Sequence, residues 1–376
     1  MRTQVLEPAT TSQRPPKKPV VRRSAPDQSQ MIRHAAQWAF VALNVWIGIQ
    51  FYLWVRWFER GGVGWHVARP AGVEGWLPIA GLMNLKYFVV TGHVPPIHPA
   101  AMFMLIAFLL MSVVAKKAFC AWLCPVGTLS EYLWKFGRKV FGRNLGTPRW
   151  LDIPLRGLRY LLLGFFVYII ASMSAEALAG FMLSPYGIVA DVKMLNFFRT
   201  LSLTGVIVLG VLALLSMLVE NFWCRYLCPY GALMGLVSLV SPLKVRRDPE
   251  ACIDCGKCAR VCPSHLAVDK LVHIRSAECS ACMACVAACP VEYGLQFAAL
   301  PRKSASVAER WRGRIANPGA VAAMLAVFFL GMVFAARATG HWRMHLPQSV
   351  YMQLVPNANQ VGHPGMDGPG STMDVR

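Results

Sequence analysis

Five apolar stretches, each close to the length that a helix needs to cross a bilayer, constrain this chain more than any other feature. They run over His34–Val55, Pro99–Ala115, Tyr160–Ser174, Leu201–Val219 and Pro318–Ala336. Only 15% of the residues are charged, against about a quarter in soluble domains, so much of the apolar surface must face lipid. The pattern predicts a mostly α, polytopic membrane protein of about five helical spans.

Basic residues concentrate in alternate loops, and this predicts the orientation. Segment 1–33 holds seven basic and two acidic residues, 116–159 holds nine and two, and 221–314 holds thirteen and seven. Because positively charged loops stay inside, these segments are expected in the cytoplasm, and the C-terminus in the periplasm, for a protein of the inner membrane of a bacterium. Topology therefore accounts for the net charge of +20, and no nucleic-acid partner is expected.

A nine-residue motif occurs twice, 104 residues apart. Phe119–Gly127 is FCAWLCPVG and Trp223–Gly231 is WCRYLCPYG. Each copy follows an apolar span, and a shorter apolar stretch precedes each of these spans, at Leu77–Val90 and Leu178–Ala190. The core thus looks like a duplicated unit of span, half-span, span and cysteine motif. A parallel duplication would bring the two motifs together at the cytoplasmic face.

Two runs of four cysteines carry the most specific signal. Each has the spacing C-x2-C-x2-C-x3-C-P of bacterial two-cluster ferredoxins, in which the fourth cysteine of a run ligates the other cluster. Zinc fits less well, because zinc sites usually show CxxC pairs with a longer spacer. Disulfides also fit less well, because cytosolic thiols stay reduced. We therefore predict two [4Fe–4S] clusters with crossed ligands: Cys252, Cys255, Cys258 and Cys289 for one, and Cys279, Cys282, Cys285 and Cys262 for the other.

The duplicated motif supplies four more cysteines, Cys120, Cys124, Cys224 and Cys228. Cysteines four apart lie on one face of a helix, and each pair occurs where a span reaches the cytoplasmic surface. Four thiolates are enough for a third [4Fe–4S] cluster or for a site that holds another metal. The alternative interpretation is a set of redox-active or structural thiols.

Three polar residues toward the outer side are candidates for a quinol site. His93 and His98 flank a Pro-rich segment, and histidine titrates near neutrality, which suits a proton acceptor. Lys86 lies in an apolar half-span, where a charged group is often functional. The simpler interpretations are a rigid, solvated loop for the histidines and a lysine that extends to the membrane interface.

These features divide the chain into six segments. The two folded parts are a membrane core at 34–243 and a small α+β ferredoxin domain at 244–300, which could hardly form a core without its clusters. The remaining segments are a disordered basic cytoplasmic arm at 1–33, a basic linker at 301–317, the fifth span at 318–337 and an outer tail at 338–376.

The motif pair FCAWLCP and WCRYLCPYGA, followed by two ferredoxin runs, resembles the NapH/NosR/CcoG group of polyferredoxin-like membrane proteins over roughly residues 35–300. The resemblance implies membrane-bound iron–sulfur electron transfer. NapH-type members take electrons from quinol for periplasmic nitrate reduction, NosR-type members support nitrous oxide reductase, and CcoG-type members serve cytochrome oxidase maturation through copper handling. The flavin domain of NosR-type chains and the outer immunoglobulin-like domain of CcoG-type chains have no counterpart here. NapH-type chains usually lack the fifth span.

The function expected from these features is electron transfer between the quinol pool and a redox partner protein, as in a quinol dehydrogenase-type component. The partner would be a reductase, a cytochrome or a metalloenzyme under assembly, and membrane lipid surrounds the spans. An assembly factor that reduces copper or thiols is one alternative. A redox-sensing regulator is the other.

Overall fold

The computed structural model describes residues 21–24, 26–304 and 306–364, which form a largely helical protein with one small sheet. Their α-helices are, in chain order, α1 (Ser29–Glu59), α2 (Pro78–Thr91), α3 (Pro99–Ala115), α4 (Ala118–Trp122), α5 (Pro125–Phe141), α6 (Arg149–Ser172), α7 (Ala175–Leu183), α8 (Pro185–Ile188), α9 (Ala190–Arg199), α10 (Leu203–Leu218), α11 (Pro229–Val237), α12 (Lys257–Arg260), α13 (Ala284–Ala287), α14 (Val307–Trp311), α15 (Pro318–Ala338) and α16 (Gln348–Leu354). The strands are β1 (Lys244–Arg247) and β2 (Leu295–Ala298). Shorter turns of 3-10 helix cover Ala71–Trp76 and Ser238–Val240, and a π-helical turn covers Trp223–Leu227.

Three helices are long and apolar enough to cross a membrane: α1, α15 and the Trp150–Ser172 portion of α6. A fourth span is added if α9 and α10, which meet at a bend of 83°, form one broken span. The predicted spans Pro99–Ala115 and Leu201–Val219 correspond to α3 and α10, which have 17 and 16 residues. Each rises about 25 Å, less than the ~30 Å of a hydrocarbon core. The described residues thus contain three to four helices able to span a membrane, and the count of five stays a prediction.

Two of the predicted spans begin earlier than apolar length indicates. Helix α1 begins at Ser29 instead of residue 34, and the carboxylate of Asp27 accepts its backbone N–H at 2.8 Å. Helix α6 begins at Arg149 instead of residue 160, and Asp152 in its first turn pairs with Arg225 at 2.8 Å. Tertiary partners for these polar residues allow each helix to continue beyond its apolar stretch.

The two outer half-spans differ from one another. The stretch Leu77–Val90 forms the single helix α2, whereas Leu178–Ala190 is divided among α7, α8 and the start of α9. Ser184 interrupts the second stretch, because its Oγ accepts the N–H of Gly187 at 3.1 Å and so starts a new helix. A Cβ on Gly187 would lie 2.5 Å from the carbonyl oxygen of Met182, so this break requires glycine.

Helix α3 lies at the centre of the membrane part. Eleven of its 17 residues are buried, and it packs against α2, α11 and α15. The same apolar core continues into the ferredoxin segment through Val245, Ile274 and Phe297. The ferredoxin segment therefore packs directly on the membrane part, and this contact positions the cysteine motifs.

The ferredoxin segment is closed by its two strands. β1 pairs with β2 in antiparallel register, from Lys244 opposite Ala298 to Arg247 opposite Leu295. The strands lie at the two ends of the predicted 244–300 segment, and the eight ferredoxin cysteines lie between them.

The described part of the predicted disordered arm and the predicted basic linker both pack on the ferredoxin segment. The backbone N–H of Arg23 donates to the carbonyl of Pro290 at 3.1 Å, so the described part of the 1–33 arm is attached. In the 301–317 linker, Trp311 Nε1 donates to Asp248 Oδ2 at 2.9 Å from within α14. Most of the arm, residues 1–20 and 25, lies outside the described residues.

The described part of the outer tail packs against the outer end of α1. Tyr351 of α16 contacts Trp54 edge-to-face, with ring centroids 5.2 Å apart. Leu354 and Val355 are buried in the same apolar cluster. Residues 338–364 are thus attached to the membrane core.

Candidate metal centres

Each CPxG sequence of the duplicated motif starts a new helix. Cys124 is the N-cap of α5 and Cys228 the N-cap of α11, and in each case proline occupies the first helical turn. Cys124 Sγ accepts the N–H of Gly127 at 3.5 Å, and Cys228 Sγ accepts that of Gly231 at 3.3 Å. Proline favours the first turn because it lacks the N–H that such a position leaves unpaired. The expectation that the cysteines of each pair share one helix face is therefore wrong, because the helix ends between them.

Both copies close in the same way despite their different sequences. The N–H of Cys124 donates to the carbonyl of Phe119 at 2.9 Å, and the N–H of Cys228 to that of Trp223 at 3.0 Å, a span of five residues in each case. The first copy is the tighter one, since a Cβ on Gly127 would lie 2.3 Å from the Cys120 carbonyl oxygen.

One cavity of about 620 Å³, called here the membrane cavity, is lined by all four motif cysteines, Cys120, Cys124, Cys224 and Cys228. The duplication thus brings its two copies to one place. Ser280 and Cys282 of the ferredoxin segment also line this cavity. The three sets of cysteines are therefore neighbours.

The motif cysteines suit a group larger than one ion. Among the described residues, no three His, Cys, Asp or Glu side chains are spaced to hold a single metal ion. None of the four thiols is exposed or in a disulfide, whereas redox-active thiols are usually accessible. A cubane is wider than one zinc ion, so its four thiolates stand farther apart. The four cysteines around one cavity fit such a cluster.

A second and smaller cavity, the ferredoxin cavity, has a volume of about 20 Å³. Its cysteines are those of the predicted crossed set: Cys252, Cys255, Cys258 and Cys289. Burial raises the pKa of Cys262 to about 12, and the next contribution comes from Cys282, a member of the other run. The structure thus brings each fourth cysteine to the first three of the other run.

The two ferredoxin loops repeat one backbone conformation. Asp254 and Gly256 have positive φ in the first loop, and Ala281 and Met283 have it at the equivalent positions of the second. Left-handed backbone is costly for residues other than glycine and persists only where the surroundings impose it. Both loops are therefore held in one shape by their surroundings, as a pair of equivalent cluster sites requires.

The second ferredoxin loop rests on the first membrane motif. Trp122, fully buried between the motif cysteines, donates from Nε1 to the carbonyl of Ala281 at 3.1 Å. Gln30 at the start of α1 donates to the carbonyl of Cys282 at 2.9 Å. At the other end of the ferredoxin segment, Cys255 is exposed to solvent. The cysteine sites thus extend from the membrane cavity to the surface.

None of the three predicted quinol-site residues lines the membrane cavity. Lys86 donates to the carbonyls of Ile170 and Ala171, each at 2.9 Å, and so caps the C-terminus of α6. His93 is exposed in the loop after α2. His98 is buried, and its Nε2 lies 2.9 Å from the Gly187 carbonyl oxygen. The structure gives Lys86 and His98 tertiary roles that the sequence pattern does not show.

Sequence reasoning missed a buried charged cluster at the end of the membrane cavity that is next to the C-terminal half of α1. Arg69 lines the cavity and binds Glu74 at 2.8 Å and Asp191 at 2.6 Å. His98 Nδ1 lies 3.6 Å from Glu74. The signal that could have found the cluster is the presence of acidic residues beside apolar outer segments.

A second ion pair lies at the end of the same cavity that is next to the start of α1. Arg33 binds Glu131 through two hydrogen bonds of 2.6 and 2.7 Å, and Lys135 adds a third at 2.6 Å. Although burial opposes ionisation, these cations lower the pKa of Glu131 to about 2. The pair connects α1 to α5 beside the first motif.

The walls of the membrane cavity between these two ends are mostly apolar. The residues of α1 that line the cavity run from Gln30 to Gln50. Because twenty helical residues extend about 30 Å, the cavity continues over a length similar to the thickness of a hydrocarbon core. Leu43 and Leu330, 40% and 61% exposed, line the cavity from α1 and α15. The cavity is therefore accessible from the lipid-facing surface between these helices.

Two family models match the chain. A 4Fe-4S binding domain matches residues 97–144 and again 201–247, and a 4Fe-4S dicluster domain matches 244–290. The first covers both copies of the membrane motif, and the second covers the ferredoxin runs. No solved structure matches the chain at a significant level.

Similar proteins have names that refer to electron transport or to ferredoxins. YccM of Escherichia coli (strain K12) is named as a putative electron transport protein. It is 50% identical to this chain over 338 residues, which cover 88% of this chain and 91% of that protein. The ferredoxin-type protein NapH of the same strain is 28% identical over 217 residues, 55% of this chain and 70% of that protein. This chain is a NapH-type polyferredoxin-like protein.

As a NapH-type protein, the chain carries [4Fe–4S] clusters and transfers electrons. A further relative is the methylamine utilization ferredoxin-type protein MauN of Methylorubrum extorquens, 28% identical over 210 residues, 55% of this chain and 66% of that protein. The matched family models extend over both the ferredoxin segment and the duplicated membrane motif.

Proposed function

We propose that this NapH-type protein oxidises quinol in the membrane cavity and delivers the electrons to a redox partner protein. One observation carries the proposal: a mostly apolar cavity, accessible from the lipid-facing surface, has the four motif cysteines at one end. A lipophilic two-electron donor fits such a cavity, whereas a soluble donor does not.

The proposed ligands form three sets. In the ferredoxin segment they are the crossed sets named above, and in the membrane cavity they are Cys120, Cys124, Cys224 and Cys228. When bound, the clusters supply one-electron transfer, so the two electrons of a quinol leave singly. The match of a 4Fe-4S binding domain to both membrane motifs supports the third cluster.

The residues for the quinol ring are aromatic. Phe108 stacks on Phe119 with ring centroids 3.8 Å apart, and Phe119 precedes Cys120 directly. Phe329 of α15 lies edge-on to Phe40 of α1 at 5.3 Å, and all four rings line the cavity. Flat aromatic walls favour stacked or edge-on contacts with another ring. They would hold a quinol ring next to a cluster ligand.

The same cavity offers a route for protons. Oxidation of one quinol to quinone releases two protons with the two electrons. Gln30, Glu131 and Lys135 line the cytoplasmic end, and Lys135 is 38% exposed. These polar side chains mark the end of the cavity where the released protons would leave for cytoplasmic water. The low pKa of Glu131 means that it would stay ionised at neutral pH and would not itself hold a proton.

The proposal includes the orientation and the partner. The cluster side and the N-terminus would be cytoplasmic and the tail periplasmic in an inner membrane, as the basic loops suggest. The exposed Cys255 is the place where a redox partner could approach a cluster closely. Relatives named as ferredoxin-type proteins support such a partner.

A cavity-filling variant tests this function. Val333→Trp fills the cavity from α15, so reduction of the clusters by a short-chain quinol in nanodiscs should slow at least tenfold. Val327→Trp is the control, because Val327 lies on the same helix, is 68% exposed and does not line the cavity. Dithionite should reduce both variants fully. Equal quinol rates for the two variants would remove the support for this cavity, and native protein that quinol cannot reduce would overturn the function.

A further inference from the structure

Two buried arginines lie beside the motif cysteines and line the membrane cavity. Arg159 is 1% exposed and Arg225 is 6% exposed. Arg159 Nη1 donates to the carbonyl of Cys224 at 3.5 Å, and Arg225 follows Cys224 in the chain. Both arginines therefore line the cavity close to Cys224, and the hydrogen bond of Arg159 places its guanidinium group beside that cysteine.

Each arginine has one acidic partner that uses only part of its hydrogen-bonding capacity. Arg159 binds Glu278 of the ferredoxin segment, and Arg225 Nη2 lies 2.8 Å from Asp152. Within the described residues, Nε of Arg159 and both Nε and Nη1 of Arg225 are buried without a hydrogen-bond partner. A buried N–H without an acceptor is costly, so such groups call for an acceptor from another source.

We infer that Arg159 and Arg225 form a cationic cradle for the group held by the four motif cysteines and raise its reduction potential. The inference rests on the proposed third cluster. A [4Fe–4S] cluster with four thiolates is an anion whose sulfurs accept hydrogen bonds, and it gains negative charge on reduction. Two buried cations beside it favour the reduced form, because charges interact strongly where water is excluded. Net charge and hydrogen bonds to sulfur are known determinants of cluster potentials.

The ion pair of Arg159 with Glu278 allows the direction of the potential shift to be tested. Its partner Glu278 directly precedes Cys279 of the ferredoxin runs. Removing the arginine charge should lower the potential at the motif cysteines, whereas removing the Glu278 charge should raise it. A purely structural ion pair would make the two substitutions act in the same direction, through loss of the same contact between segments.

The test uses the full-length protein in nanodiscs, with iron counting followed by a redox titration read by EPR. Native protein should hold about twelve irons, on four per cubane. Arg159→Gln should make reduction at the membrane motif about tenfold less favourable. For a one-electron couple this is a fall of about 59 mV in the reduction potential. Arg159→Lys should keep most of the potential, and Glu278→Gln should raise it.

Arg310→Gln is the matched control, because Arg310 binds Asp248 and Glu250 of the ferredoxin segment but does not line the membrane cavity. Its membrane-motif potential should match the native value. Two outcomes would overturn the cradle but not the third cluster. One is an Arg159→Gln protein that holds about twelve irons, on four per cubane, and has the native reduction potential at the membrane motif. The other is a shift of that potential in the same direction in Arg159→Gln and Glu278→Gln. Eight irons in the native protein would overturn the third cluster and the cradle with it. If Arg159→Gln does not assemble, Arg159→Lys and Glu278→Gln still test the direction in which the reduction potential shifts.

Discussion

The membrane cavity and the ferredoxin cavity each contain one set of four cysteines, with Cys282 in addition in the first, yet they differ in almost every other respect. The first has a volume of about 620 Å³ and continues along α1, whereas the second has about 20 Å³ and is next to the protein surface. Each contains an arginine with a buried N–H that has no partner among the described residues, such as Arg225 in the first and Arg247 in the second. The membrane cavity therefore extends well beyond its four motif cysteines, whereas the ferredoxin cavity does not extend beyond its own set.

The difference in size suggests a difference in role. A site that only relays electrons needs to hold its cofactor and exclude other molecules. A site that exchanges electrons with a diffusing donor also needs an entrance, and the membrane cavity has one between α1 and α15, where Leu43 and Leu330 are partly exposed. The comparison therefore agrees with the proposal that electrons enter at the membrane motif and leave from the ferredoxin segment.

The largest expected effect separates the two sites. Cys255→Ser removes one ligand of the exposed ferredoxin site, so the protein should lose about four irons per chain. Quinol should still reduce the remaining signal of the membrane motif, while electron transfer to an external acceptor protein should fall sharply. Iron counting and EPR after addition of quinol measure both. Loss of quinol-driven reduction in this variant would mean that electrons enter at the ferredoxin segment.

The next largest effect concerns the ion pair that borders the membrane cavity. Glu131→Gln leaves the buried Arg33 without its carboxylate, and breaking such a pair typically costs about 3 kcal/mol. The folded pKa of about 2 lies below the ordinary 4.5, so this stabilisation is complete above about pH 4.5 and is lost only as pH falls toward 2. The melting temperature of the variant should therefore be lower by the same amount at pH 6, 7 and 8.

Glu176→Gln is the control for this measurement, since Glu176 is an exposed carboxylate at the start of α7. Its melting temperature should equal that of the native protein across the same range. A difference between native protein and Glu131→Gln that is small at pH 6 and grows toward pH 8 would contradict the assignment of a low pKa to Glu131.

The smallest predicted effect compares the two motif copies themselves. A Cβ at Gly127 would lie 2.3 Å from the Cys120 carbonyl oxygen, whereas at Gly231 the nearest atom is the Cys224 carbonyl oxygen at 3.6 Å. Gly127→Ala should destabilise the protein by about 2 kcal/mol through overpacking, and Gly231→Ala should be neutral or slightly stabilising in its helix. Thermal unfolding measures both. Equal effects would show that the two copies are packed alike.

The ferredoxin runs could be predicted from the sequence because their information is local. Cys252, Cys255 and Cys258 are held by one short loop whose spacing is specific, and the spacing also suggests the crossed fourth ligand. The duplication of FCAWLCP and WCRYLCP likewise predicts that the motif cysteines meet, and the membrane cavity brings them together.

The remaining features depend on contacts between distant residues. Apolar length predicts a later start for α6 than the structure has, because Asp152 has its cation, Arg225, in another segment. The sequence pattern makes Lys86 a quinol-site candidate, whereas in the structure its acceptors are carbonyls at the end of α6, 84 residues away for Ile170. Arg159 is a further case, because its partner Glu278 lies 119 residues away. No spacing or composition rule encodes such pairs.

The most direct test of the account is quinol-driven reduction in a protein that lacks only the membrane site. Cys228→Ser should lose about four irons and keep the ferredoxin clusters, which dithionite would still reduce. EPR after rapid mixing with a short-chain quinol should then show no reduction of those clusters, although the native protein is reduced under the same conditions. Reduction of Cys228→Ser by quinol at the native rate would contradict the claim that electrons enter through the membrane cavity.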